Sequence, residues 1–187
     1  NLVAVGECLR RITLQSFNDG NTTTISSSAG TINADWLILE DITATGGATF
    51  NATNTLEETN VSGWNIVAPA AHDFYWIGGT GSWSDTAHWS TSSGGPVFGC
   101  LPSKIDNVIF DENSFTTGSD VVTLDQHAEV VNMTWMDGIA GNPTFNGGQI
   151  LNILGDLTIS DTMTYSQSHE LRLYGSLTLF EEMTWSH

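Results

Sequence analysis

The chain has 187 residues, enough for one ordinary domain or two small ones, and 40% hydrophobic with 10% aromatic content supplies a buried core, which excludes a disordered chain. Four Lys+Arg against 21 Asp+Glu leave a formal charge of −17, a field that repels nucleic-acid phosphates and anionic lipid headgroups, so neither is expected as a partner. Only 13% of residues are charged, so the polarity comes mainly from Ser, Thr, Asn and Gly, which favour strands and turns over helices.

The first third carries short alternating or β-branched runs at Arg11-Ile-Thr-Leu14, Thr22-Thr-Thr-Ile25, Thr31-Ile32, Trp36-Leu-Ile-Leu39, Ile42-Thr43 and Thr49-Phe50. Gly, Asn, Asp and Ser turns separate them. Between Ile66 and Asp73 the alternation lapses around Pro69, and a module boundary is expected there, dividing the chain into 1–68 and 73–187. An aromatic, Gly-rich stretch at 74–115 precedes a regular region at 120–187. No helical pattern longer than two turns occurs, and no apolar run reaches the ~18–20 residues of a membrane-spanning helix. The opening residues lack the basic start and apolar stretch of a signal peptide, and both ends read as cut from a longer parent chain.

The regular region repeats. Leu151-Asn-Ile-Leu-Gly-Asp-Leu-Thr-Ile159 recurs 20 residues later as Leu171-Arg-Leu-Tyr-Gly-Ser-Leu-Thr-Leu179, and Met163-Thr-Tyr-Ser166 recurs as Met183-Thr-Trp-Ser186. Alternation sends Leu and Ile inward while Asn152, Arg172, Asp156, Ser176, Thr158 and Thr178 point out. A sandwich has alternation but no reason to repeat at a fixed interval. A unit of ~20 residues that cannot bury its inner face alone is one coil of a parallel β-helix or β-solenoid, so that Leu151 should rest on Leu171 and Met163 on Met183. Met133-Thr-Trp135 reads as an earlier copy of the Met163 corner, 30 residues upstream, with about half a turn looped out between them.

The stretch Phe74-Tyr-Trp-Ile-Gly-Gly-Thr-Gly-Ser-Trp-Ser-Asp-Thr-Ala-His-Trp-Ser90 gathers Trp76, Trp83 and Trp89 around a Gly-rich turn. Pro102-Ser-Lys-Ile-Asp-Asn-Val-Ile-Phe-Asp111 follows. Together they resemble the opening of the repeated β-solenoid modules in giant surface proteins and adhesins of Bacteroidetes-type bacteria, many exported by the type IX pathway. The resemblance covers 73–187, and 44–66 looks like the close of a preceding module. It implies an all-β solenoid with an aromatic Gly-rich cap, and an extracellular segment tied to the outer membrane through other parts of its chain. The function implied is an extended stalk or adhesive rod in cell-surface attachment or gliding. Expected partners are surface glycans or other cell-surface ligands, with secretion or surface-assembly machinery in addition. Relatives often carry a cysteine near the Val130–Met133 stretch. This chain has none there, which leaves Cys8 and Cys100 as its candidate disulfide pair, with two unpaired small apolar residues as the alternative reading.

Several residues invite a sharper role. Trp83 and Trp89 offer rings on which a sugar face can stack, although capping an open solenoid end is the commoner use of clustered indoles. Asp106, Asp111 and Glu112 place oxygen donors near one another, as a calcium site needs, but match no calcium-loop pattern, and turn-forming acids read the same way. Asp85-Thr86-Ala87 and Asp161-Thr162-Met163 are similar to the short O-glycosylation site of this bacterial group, on Thr86 and Thr162. The five histidines show no metal spacing, and with four basic residues a polyanion-cleaving lyase site is poorly supplied, so no catalytic residue is expected. A carbohydrate-binding module and a fragment of a polysaccharide-degrading β-helix enzyme are the alternatives to the adhesive rod.

Overall fold

A computed structural model of the chain describes residues 4–57, 59–159, 161–168, 170–181 and 184–186. It is all-β. Among the described residues the only helical element is a 3-10 turn at Thr86–His88, and the strands stack as the parallel coils of a β-solenoid. The chain divides into two compact units, residues 1–70 and 71–187.

In the first unit, β1 (Ala4–Val5), β2 (Ile12–Gln15) and β3 (Thr23–Ser27) make one coil. The next holds β4 (Thr31–Asp35), β5 (Leu37–Glu40) and β6 (Ile42–Gly46); β7 (Thr49–Thr53) and β8 (Leu56–Glu57) follow, and β9 (Asn65–Ile66) begins another. Three parallel sheets result, β1-β4-β7-β9, β2-β5-β8 and β3-β6. The coils are tight, with Asn51 bonded to Asn33 18 residues back and Asn60 to Asp41 19 residues back. Single residues in the left-handed region make such short corners: Asp41 at φ 51°, Asn54 at 47° and Asn60 at 50°. Asn and Asp are the non-glycine residues that best tolerate this region. Trp36, at φ 55°, departs from that preference, and the Arg11 guanidinium lies 5.6 Å from its ring centroid. Inside, Ala34, Leu37, Leu39 and Ala52 form a small core.

The second unit opens with β10 (Asp73–Trp76), β11 (Gly81–Ser82) and β12 (Trp89–Ser90). Full coils follow: β13 (Asn107–Phe110), β14 (Val121–Leu124), β15 (Ala128–Val130); then β16 (Met133–Trp135), β17 (Thr144–Gly147), β18 (Leu151–Ile153). After them come β19 (Leu157–Ile159), β20 (Thr164–Gln167), β21 (Leu171–Leu173), and finally β22 (Leu177–Leu179) and β23 (Thr184–Ser186). The sheets are β12-β10-β13-β16-β19-β22, β11-β14-β17-β20-β23 and β15-β18-β21. Every pairing is parallel except that of β12, which runs antiparallel along the outer edge of β10 with Trp76 opposite Trp89. A strand placed there satisfies an edge that would otherwise be open to further pairing.

The 20-residue register holds. Leu151 pairs with Leu171, Leu157 with Leu177 and Thr164 with Thr184. Met183 lies outside the described residues, while the neighbouring Thr184 N–H donates to the Met163 carbonyl at 3.0 Å. Leu151, Ile153, Leu157 and Ile159 are all buried inward, each contributing roughly 1.5–3 kcal/mol. Asn152 points outward yet is covered, its amide donating to Glu129 Oε2 at 3.2 Å. In the last coil Leu177 and Leu179 are exposed, with no described residue lying over them.

The Met133 alignment is corrected. Met133-Thr134-Trp135 pairs with Leu157-Thr158-Ile159, whereas the strand stacked beneath Thr164-Tyr165-Ser166 is Thr144-Phe145-Asn146. Inward–outward alternation is the same on every face of a solenoid, so a three-residue likeness cannot say which face it belongs to. Coil length varies too: Asn132 bonds to Asn107 25 residues back, against 20 between Ser176 and Asp156. The extra residues bulge at turns and leave the pairing intact.

Candidate functional site

The aromatic stretch folds into the core of the first coil of the second unit. Trp76, Trp83 and Trp89 have 0% exposure. Their polar edges are answered locally: Trp76 Nε1 donates to the Gly79 carbonyl at 2.7 Å, and Trp89 Nε1 to the Trp83 carbonyl at 2.9 Å. Trp89 meets Trp76 and Trp83 edge-on, at centroid distances of 5.0 and 4.8 Å, and His88 lies flat on Trp76 at 4.6 Å. Neither face of Trp83 or Trp89 is open to a sugar ring, so these indoles serve packing in this fold.

The glycines between them have a positional reason. Gly79 sits at φ +78°, and a Cβ there would fall 2.7 Å from Thr116 Oγ1 and 3.0 Å from Asp120 Oδ1. The Gly-Gly-Thr-Gly turn therefore lies directly on the Thr116–Asp120 loop. Thr80 Oγ1 donates to Asp120 Oδ1 at 3.0 Å, while Thr116 and Thr117 N–H donate to Oδ2 at 2.7 and 2.6 Å. Desolvation pushes the Asp120 carboxyl upward, but these backbone and hydroxyl donors outweigh it and hold the group below the usual carboxylate range. Asp120 thus staples the aromatic turn to the following coil, a role the sequence did not advertise.

The acids proposed for calcium are engaged in the same way. Asp106, buried, accepts from His72 N at 2.8 Å through Oδ1 and from Ser103 N and Oγ at 2.9 and 2.6 Å through Oδ2. Asp111, also buried, accepts from Asn113 N and Ser114 Oγ at 2.9 and 3.2 Å, while Glu112 is exposed on the turn. The three are not brought together as a ligand set. Among the described residues the carboxylates that do meet are Asp19, Glu40 and Asp41, with oxygens within 4.8 Å of one another. Asp41 in that trio accepts from Gly20 N at 2.7 Å and Asn60 Nδ2 at 2.6 Å.

Of the remaining candidates, Thr86 is half-buried on the 3-10 turn that Asp85 caps, and Thr162 Oγ1 donates to the Gly141 carbonyl at 3.1 Å. Neither Cys8 nor Cys100 is a free thiol. His169 and His187 lie outside the described residues.

What the structure adds is a set of axial ladders. In the first unit Asn65 Nδ2 donates to Asn51 Oδ1 at 3.0 Å, and Asn51 Nδ2 to Asn33 Oδ1 at 2.8 Å. In the second, Asn107 Nδ2 donates to Asp73 Oδ1 at 2.7 Å and Asn132 Nδ2 to Asn107 Oδ1 at 2.9 Å. The backbone carries it on, Asp156 N to Asn132 Oδ1 and Ser176 N to Asp156 Oδ1, both at 2.7 Å. Beside this second ladder the outer face of the β10-β13-β16-β19 sheet is concave, a shallow groove of about 280 Å³. The sequence signal was available in the outward polar positions, but which of them share a rung depends on coil lengths that composition does not reveal.

No family model, no curated protein and no solved structure matches this chain.

Proposed function

We propose that the chain is a segment of a large secreted bacterial surface adhesin, serving as an extended stalk or adhesive rod in cell-surface attachment or gliding, with no catalytic role. The observation that supports it most is the coil-on-coil register. Each unit is a stack that lengthens by one strand spacing per coil, about 4.8 Å, and presents repeated polar rows along its outside. A scaffold of that kind separates a tip from a surface and offers many equivalent contact points. The strongly acidic composition and the lack of any free thiol among its cysteines fit an oxidising, extracellular setting. The aromatic opening motif fits the module start of such surface proteins.

The experiment is localisation on the encoding organism. Antibodies raised against the purified chain should label intact, unpermeabilised cells, and deleting the encoding segment should reduce attachment or gliding. Labelling confined to permeabilised cells overturns the proposal.

A further inference from the structure

We propose that the groove on the outer face of β10-β13-β16-β19 binds a neutral, extended polysaccharide chain lying along the solenoid axis. One rim is the side-chain ladder of Asp73, Asn107, Asn132 and Asp156, and the floor carries Ile109, Thr134 and Thr158. Ile109, Thr134 and Thr158 are successive members of one outward row, since Ile109 pairs with Thr134 and Thr134 with Thr158. The same row begins at half-buried Tyr75, opposite Ile109. Four stacked strands give a trough about 14 Å long, room for a short run of sugar rings.

The chemistry of the lining selects the ligand. The Thr134 and Thr158 hydroxyls have no protein partner among the described residues, so each can donate and accept. Each ladder amide uses one of its two N–H bonds on its neighbour, which leaves Asn107 and Asn132 one donor apiece. Asp73 and Asp156 commit Oδ1 to the ladder and keep Oδ2 as an acceptor. Hydroxyl-rich chains supply matching donors and acceptors at short intervals. Ile109 supplies an apolar contact for the C–H face of a sugar.

Charge decides between classes. No Lys, Arg or His lines the groove, so a uronate or sulfated polymer meets only carboxylates inside a chain of net charge −17. A polycation is drawn to the two acids, but between them stand two amides, two hydroxyls and Ile109 without a charge. The fit is to a neutral polymer. The glycan site thus moves from the buried Trp83 and Trp89 to an open sheet face.

This deepens the adhesive-rod proposal and rests on it for biological meaning, yet it is tested on the purified chain, so the two can fail separately. Affinity gel electrophoresis of the full chain through neutral β-glucan, mannan, xylan and α-glucan, with alginate and polylysine as charged comparisons, is the measurement. At least one neutral polymer should retard the chain. Thr134→Arg/Thr158→Arg, which fills the trough at outward positions, should weaken retardation by about tenfold, whereas Thr144→Arg/Thr164→Arg on the neighbouring sheet should not. Should the arginine pair fail to fold by circular dichroism, Thr134→Val/Thr158→Val keeps the shape and removes the hydroxyls, and should weaken retardation severalfold. No retardation by any neutral polymer, retardation by polylysine alone, or equal retardation of groove variants and wild type overturns the assignment. Surface labelling of cells stands or falls independently.

Discussion

The Trp135 indole stacks on the Phe110 ring one coil below, with centroids 3.9 Å apart and planes inclined by 13°. Phe115 lies parallel to both, at 6.1 Å from Phe110 and 5.7 Å from Trp135. Coil-to-coil adhesion in the second unit therefore includes an aromatic column as well as strand hydrogen bonds. Trp135→Ala leaves a large void against rings that cannot collapse into it, and should cost about 3–5 kcal/mol in urea unfolding. Trp185→Ala, at a ring 40% exposed on Tyr165, should cost much less.

Asp120 makes stability depend on pH. Its folded pKa lies below the unfolded value, so its contribution is fully present above the ordinary carboxylate range and is lost as pH falls through the depressed folded value. Asp120→Asn should lower the urea midpoint at neutral pH, and the gap to wild type should close on acidification. A gap that stays constant down to the acid transition would show that the backbone and hydroxyl donors around this carboxylate do not set its ionisation.

At Gly79 both conformation and space exclude a side chain. Gly79→Ala places a methyl against Thr116 and Asp120 in the left-handed region, and should destabilise the chain by about 1–3 kcal/mol. Gly20→Ala, at φ +76° with open space around it, should cost only the conformational part, about 1 kcal/mol. Comparing the two midpoints separates strain from collision.

Tyr165 gives a spectroscopic handle. Burial pushes its phenol well above the ordinary tyrosine range. Alkaline titration followed by near-ultraviolet absorbance should show a late component that Tyr165→Phe removes; a titration unchanged by that substitution would mean the ring is solvent-accessible.

Much of the coil geometry was legible because it rests on local alternation. Leu151–Ile159 and Leu171–Leu179 carry the same inward set, and a fixed interval between them admits only stacking. In the first unit β2 to β7 were readable for the same reason, whereas the two-residue strands β1, β8 and β9 are too short to show an alternation. The lateral assignment of Met133-Thr134-Trp135 was not legible. It depends on how many residues each turn expels, and inward aromatics on two different sheets look identical in one dimension. The antiparallel return of β12 left no signal either, since a two-residue strand after an Asp85-capped turn has no periodicity to read. Asp106 read as a calcium-ligating or turn-forming acid, and Asp120 carried no sequence signal at all. Their partners are backbone amides and the hydroxyls of Ser103 and Thr80, a convergence no sequence displays, and one amide comes from His72, 34 residues away. The groove needed three dimensions for its rungs to line up.

Uneven turns around even strands have one more outcome. The stretch between Trp89–Ser90 and Asn107–Phe110 departs and rejoins without disturbing the match of Phe74 to Val108. Corners are thus the places where such a protein can acquire new loops, and with them new specificities, while the walls beneath keep their alignment. Diversification and architecture are written in different residues, so one can drift while the other stays.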